Sequence, residues 1–396
     1  MIEKAKSKKI LLIALESINN IGEELLRAST EYLVKSVLPD VTILAAQLKP
    51  GRVQIPSQYK FLYFAGAFVL RISLFLKGNI SYRVRNLSYL LKYTLYFSSV
   101  IRQCDKIILP IGMIKYGTQD FSYVFHIICK VASKYNKPIL MSAMSPQIAD
   151  GKDWRYHQLV QAVNMPAVKM ITTRDGQVGV QILKSDYIRK EIQCDYVGDP
   201  ALWIPEAYGV KREKKCDEHP FVGINIIRRG IFDDYNQALT DKELFNIYIQ
   251  LIRLLDEKGW QWIVFTNGMA SDEDVLWDLQ SEIGFSKEHI APPPVNGQKY
   301  AEMIAGFDVV FGARLHSCIT SVAVGTPVVS FIWENKMKYF SEVMKISKYF
   351  FNPQEMSAEE IFKKLSEVVV SQLDANNREM LKLKTIESIK AFLKNC

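Results

Sequence analysis

The pattern of this chain predicts two α/β domains, each a doubly wound, Rossmann-like parallel sheet, facing a cleft at the strand carboxyl ends. Three observations lead there. Short apolar runs alternate with amphipathic segments along nearly the whole length, as α/β layers require. A chain of 396 residues, 48% of them hydrophobic, is long for one core and comfortable for two. A polar stretch from Gly209 to Pro220, containing KREKKCDEHP, separates one strand–helix series from the next.

In the first series, continuous apolar runs bounded by turn residues predict strands at Ile10–Leu15, Val41–Leu44, Lys106–Pro110, Pro138–Ser142, Lys169–Thr172 and Gln193–Val197. Helices are predicted over Ile21–Val37, Phe121–Tyr135 and Asp175–Leu183. The second series gives strands near Phe221–Ile226, Gln261–Phe265, Val309–Phe311 and Val328–Phe331, with helices at Asp241–Lys258, Asp272–Ile283 and Lys299–Ala305. Gly312 reads as a turn into a helix from Arg314 to Val324, stopped by Gly325 and Pro327. The domain boundaries that follow are 1–208, 209–376 and a closing helical segment 377–396, part of a helix read over Ser357–Lys394.

Net charge is +8, and its distribution says more than its size. No Asp or Glu occurs from Val41 to Cys104, while Lys49, Arg52, Lys60, Arg71, Lys77, Arg83, Arg85, Lys92 and Arg102 do, interleaved with tyrosines and phenylalanines. This insert, about residues 49–104, is either a helical element with an aromatic core and solvated charges or a surface for an anionic membrane or lipid diphosphate. Its longest uncharged run, Phe61–Leu70, is far too short to span a bilayer. Nucleic acid is a poor fit, because no binding motif accompanies the charge. The six cysteines are scattered, with no C-x-x-C pair, which predicts reduced cytosolic thiols and no zinc site. The basic EKAKSKK precedes only a strand-length apolar run, so no secretory signal is read from it.

Chemistry concentrates in FDVVFGARLHSCITSVAVGTPVVSFIWENKMKYF, Phe307–Phe340. Arg314 at a helix start adds a forked cation to the backbone donors there, a suitable place for a phosphate or carboxylate, and His316 can give or take a proton beside it. Arg228 and Arg229 follow the strand ending at Ile226 and lie at the same carboxyl-end rim, either as anion ligands or as an exposed pair. The loop after the first strand carries Asn20, Gly22 and Glu23; Asn20 is a helix cap or a sugar ligand, and Glu23 a helix-start acid or a base. Asp175 and Asp199 read as a helix-opening residue and an Asp-Pro turn. Asp233, Asp234 and Asp272–Asp274 lack ligand spacing and read as acidic loop residues, so no metal is expected.

The run R-L-H-S, then G-T-P-V, then a Lys before an aromatic pair resembles the polysaccharide pyruvyl transferase family. The resemblance continues, in family order, through INNIGEELL at 18–26, MITTRDGQVGVQIL at 170–183, YVGDPALWIP at 196–205 and VGINIIRRG at 222–230. It implies a glycosyltransferase-B-like pair of domains, with the last helix returning to the first. It also implies transfer of the enolpyruvyl group of phosphoenolpyruvate to two hydroxyls of a sugar, giving a pyruvate ketal on a surface polysaccharide or its lipid-linked precursor. On that reading His316 is the acid, and Arg314, Leu315, Ser317, Arg228, Arg229 and Lys336 face the donor. Asn20 and Gly22 face the acceptor, and Glu23 stands where relatives carry Asp in N-x-G-D. Phosphoenolpyruvate is a co-substrate and no cofactor or metal is implied. The place of action is the cytoplasm, with the inner membrane face as a peripheral station. Two other readings stay open: a nucleotide-sugar glycosyltransferase, and a non-catalytic glycan- or lipid-binding subunit.

Overall fold

The structure, a computed structural model, describes residues 8–15, 20–51, 54–115, 121–212, 219–370 and 374–395. The chain forms two compact units, the first made of Met1–Ser17, Leu33–Val197 and Thr385–Cys396, the second of Ile18–Tyr32 and Gly198–Lys384. The units thus change at 197/198, ahead of the polar linker on which the sequence placed its boundary, and the linker's residues 213–218 lie outside the described residues.

From the start of the chain the elements run β1 (Lys9–Ala14), α1 (Ile21–Val37), β2 (Thr42–Gln47), α2 (Lys60–Ser73), α3 (Gly78–Ile101), β3 (Lys106–Leu109), β4 (Met113–Ile114), α4 (Phe121–Lys134), β5 (Ile139–Pro146), α5 (Trp154–Val163), β6 (Val168–Thr173), α6 (Gly176–Ile182) and β7 (Gln193–Tyr196); α1 as far as Tyr32 belongs to unit 2 and the rest to unit 1. The strands pair in parallel in the order β2-β1-β3-β5-β6-β7, with β4 beside the end of β5. Ile10–Ala14 and Ile107–Leu109 are at most 1% exposed, which explains why they read as unbroken apolar runs: a parallel sheet is covered on both faces.

The basic insert is the antiparallel-running pair α2–α3, and its aromatics divide between core and surface. Tyr89, Tyr93, Tyr96 and Phe97 are core, with Tyr89 stacked on Tyr123 of α4 at 4.6 Å. Phe61, Phe64, Phe68 and Phe75 are exposed. The two helices cross closely at Gly66, where a Cβ would lie 2.6 Å from the Ser88 carbonyl oxygen, and the Ser88 hydroxyl donates to the Gly66 carbonyl at 2.5 Å.

In unit 2 follow α7 (Ile204–Tyr208), β8 (Phe221–Asn225), α8 (Ile231–Asp234), α9 (Asp241–Glu257), β9 (Gln261–Phe265), α10 (Ala270–Ile283), α11 (Gly297–Ala305), β10 (Val309–Gly312), α12 (Leu315–Val324), β11 (Val328–Phe331), α13 (Asn335–Val343), β12 (Phe350–Phe351), α14 (Ala358–Val369) and α15 (Ala375–Asn395). The sheet is parallel in the order β12-β11-β10-β8-β9. The order reverses between β8 and β10, so their carboxyl ends flank the crevice in which open α/β sheets bind ligands. Gly325 ends α12 with φ 85°, a conformation that favours glycine.

The single closing helix read from sequence is two. Ser357 caps α14 by accepting from Glu360 N–H at 3.2 Å, and Asp374 starts α15 by accepting from Asn377 N–H at 3.1 Å. The end of α15 belongs to unit 1, where buried Lys106 of β3 donates to the Phe392 and Leu393 carbonyls at 2.9 and 2.7 Å. A lysine on the last carbonyls of a helix satisfies acceptors the helix cannot satisfy itself. Lys106→Met is therefore expected to destabilise unit 1 by about 1.5–3 kcal/mol, the range of hydrogen bonds to a charged group. A lowered midpoint in urea unfolding checks it.

Candidate active site

The carboxyl ends of β8, β9 and β10 are each polar where the strands were apolar, and these polar residues join into one network. Asn225, closing β8, accepts through Oδ1 from the Ala313 and Arg314 N–H groups at 3.3 and 2.9 Å. Its Nδ2 donates to Oδ1 of Asn267 at 3.1 Å, which also accepts from the Tyr300 hydroxyl at 2.9 Å. The turn from β10 into α12 is thus held from beneath by a fully buried amide, with Arg314 as the N-cap residue.

Arg314 meets a partner the sequence reading passed over. Asp272, taken as a loop acid, lies in the first turn of α10 and is fully buried. It grips the Arg314 guanidinium in a two-point pair, Nε to Oδ2 at 3.0 Å and Nη2 to Oδ1, and also accepts from Arg228 N–H at 2.9 Å. Arg228 and Arg229 are likewise paired, with Asp234 and Asp278 (2.8 Å for the latter). Each of the three arginines thus has an aspartate. The pairs differ in kind. Those of Arg228 and Arg229 are solvent-accessible and worth about 0–1 kcal/mol, so a dianion can displace them. The Arg314–Asp272 pair is buried and geometrically fixed, leaving Nη1 of Arg314 as the edge with no acceptor among the described residues.

His316, in the first turn of α12, is half-buried, and its ring lies directly on Gly22 of α1. The segment carrying Gly22 was read as opening from the first domain; its contacts put Ile18–Tyr32 in unit 2. Ile21 N–H donates to the Asn267 carbonyl at 3.1 Å, and Glu24 accepts from Gly297 N–H at 2.9 Å. Asn20 caps α1, its Oδ1 accepting from Gly22 N–H at 3.2 Å. Glu23 is buried in the same turn, at 3% exposure.

Lys336 pairs with Glu334 and sits 4.9 Å from the Trp333 ring centre. The Trp333 indole donates to the Ala313 carbonyl at 2.8 Å, which ties this rim to Arg314. Tyr235 packs edge-on to Trp333 at 5.1 Å, and burial, reinforced by Glu334, raises its phenol above the ordinary range, so it stays a neutral donor. Leu315 and Ser317 face inward: Leu315 is buried, and the Ser317 hydroxyl donates to the Arg314 carbonyl at 2.6 Å within its own turn. Cys318 is fully buried, and desolvation pushes its thiol up to about 12, which favours the neutral thiol. Asp175 and Asp199 are structural, the first accepting from Ser145 at 2.8 Å and the second capping the 200–203 turn through Ala201 N–H at 2.8 Å. Among the described residues no group of three or more metal-ligating side chains occurs.

This architecture is that of the two-domain glycosyltransferase-B-like proteins. UDP-GlcNAc 2-epimerases from Methanocaldococcus jannaschii and from Neisseria meningitidis, the latter with UDP-GlcNAc bound, each superpose with a TM-score of 0.58 at 10% identity, covering 98% of this chain and 100% of theirs. A glycosyltransferase from Rickettsia africae ESF-5 gives 0.53 at 11% identity over 99% and 100%. No curated protein sequence matches the chain. Within that fold class, the chain belongs to the polysaccharide pyruvyl transferase family, whose sequence profile matches residues 20–335. It is thus a transferase of polysaccharide biosynthesis.

Proposed function

We propose that the protein moves the enolpyruvyl group of phosphoenolpyruvate onto two hydroxyls of one sugar, on a surface polysaccharide or its lipid-linked precursor at the inner face of a membrane. The observation that supports it best is that Arg314, held by Asp272, and His316, two residues on in the first turn of α12, stand together at the switch point of unit 2, inside the family's own segment. The donor's carboxylate and phosphate are met by the free edge of Arg314, the start of α12, and Arg228 and Arg229 released from their exposed partners. His316 protonates the methylene carbon, the first hydroxyl bonds to the carbon beside it, phosphate leaves, and the second hydroxyl closes the ring. Of the two hydroxyl protons, one ends on the new methyl group and one leaves with phosphate. Glu23, in the turn beneath His316, is the base for the acceptor hydroxyl. Lys336 stands on the donor side, and Asn20 and Gly22 position the acceptor-side turn. Leu315 and Ser317 act by shaping α12 around the donor.

The test is phosphate release from phosphoenolpyruvate with a panel of lipid-linked sugar acceptors, with product mass as second readout. Expected are acceptor-dependent release, a product heavier by one pyruvate ketal, undiminished activity in a chelator, and a fall of about 10²–10⁴ in His316→Asn. Turnover of a UDP-sugar with no use of phosphoenolpyruvate would replace this reading by the glycosyltransferase one.

A further inference from the structure

Unit 1 carries an exposed face and a cavity that the transfer chemistry leaves unused. On α2 and the turn into α3, Phe61 is 80%, Phe68 65%, Leu74 67% and Phe75 88% exposed, a larger apolar surface than isolated side chains make. Around them Lys60, Arg71, Lys77 and Arg83 are exposed, with no acid from Val41 to Cys104 to oppose them. The opposite side of the hairpin is fixed, with Lys92 over the Tyr63 and Tyr93 rings at 5.0 and 4.9 Å.

Behind the turn lies a cavity of about 660 Å³ between α3 and α5, lined among others by Leu76, Tyr82, Arg85, Trp154 and Gln158. Tyr82 and Trp154 meet edge to face at 4.5 Å. Gln158 is 7% exposed and its Oε1 has no hydrogen-bond partner among the described residues; the same holds for the buried Nε of Arg85. Arg85, half-buried, and Gln158 thus bring to the lining of one cavity a cation and an amide whose hydrogen-bonding capacity is not fully used, which suits a ligand with hydroxyls and an anion. None of the described helices is long and apolar enough to cross a membrane, so a hairpin that met a bilayer would lie on it rather than pass through it.

We propose that the α2–α3 hairpin and the cavity behind its turn form one anionic-lipid site. Phe61, Phe68, Leu74 and Phe75 enter the acyl boundary, the basic residues meet the charged surface, Arg85 takes a lipid phosphate and Gln158 a headgroup hydroxyl. The proposal gives a physical basis to the membrane-facing part of the reading above, yet it is tested without donor or sugar, so its failure leaves the pyruvyl chemistry untouched.

The experiment is flotation of the full chain with vesicles of phosphatidylcholine alone or mixed with phosphatidylglycerol. The protein is expected to float with the mixed vesicles only. Phe68→Ser/Phe75→Ser, Arg71→Glu/Lys77→Glu and Arg85→Ala/Gln158→Leu are each expected to weaken binding about tenfold or more. Equal binding to both vesicle types, no binding, or binding unchanged in all three variants overturns the proposal. So does a dimer that Phe68→Ser/Phe75→Ser dissociates without any lipid binding, since the face then belongs to a second copy. Glycerol phosphate binding as tightly in Phe68→Ser/Phe75→Ser as in the unmodified chain would assign the cavity to a soluble anion and equally overturn it.

Discussion

Replacing Asp272 with alanine is expected to destabilise unit 2 by about 3–5 kcal/mol, because it leaves the Arg314 guanidinium with its buried partner removed. The environment decides the size. The Asp272 side chain is fully buried and that of Arg314 only 14% exposed, so water cannot take over the two hydrogen bonds that are lost, and Arg228 N–H loses its acceptor as well. Against a domain stability of about 5–15 kcal/mol, this loss moves the urea midpoint far. Asp272→Ala/Arg314→Met should regain much of it, since removing both charges removes the desolvation penalty along with the attraction. That double variant is expected to fold and stay inactive, which separates donor binding from stability. A single variant as stable as the unmodified protein would show that Asp272 does not hold Arg314 in solution.

The pair also marks where sequence reading ends. Strand positions were legible because buried parallel strands are apolar without interruption: Gln261–Phe265 and Val328–Phe331 coincide with β9 and β11, and Ile21–Val37 with α1. The R-L-H-S run located α12 and the family. What stayed hidden were partners chosen by topology. Asn225, the segment carrying Asn267 and Asp272, and Arg314 are far apart in sequence and meet only because β8, β9 and β10 lie side by side. The signal available was a polar residue closing an otherwise buried strand, as in FVGIN, and it was unused. The helices α5 and α13 were missed although Tyr156, Leu159 and Val163, and Met337 and Phe340, keep helical spacing; with 10 and 9 residues each shows that period for barely two or three turns. The exposed phenylalanines of α2 could not be told from core ones, since composition does not record which face of a helix is covered.

Gly22→Ala is expected to lower kcat about a hundredfold while leaving the fold as stable as before. A Cβ at residue 22 would stand 2.1 Å from Nδ1 and 2.4 Å from Cγ of His316, where contacts under 3.0 Å force a displacement. Either α1 or the imidazole must yield. The first turn of α1 is tied down by Ile21 N–H on the Asn267 carbonyl, by the Asn20 cap and by Glu24 on Gly297 N–H, whereas the ring turns about its side-chain bonds. The ring therefore moves, and a misplacement of about 1 Å in a reacting group costs about 10² in rate. Stability is not expected to follow, because alanine favours a helix over glycine by about 1 kcal/mol, offsetting some local strain. The decisive comparison is with His316→Asn. If the methyl group acts only through the ring, and the ring is the proposed acid, Gly22→Ala/His316→Asn will be no slower than His316→Asn alone, since there is no imidazole left to displace. Losses that multiply in the double variant would instead place Gly22 in acceptor binding, independent of the histidine.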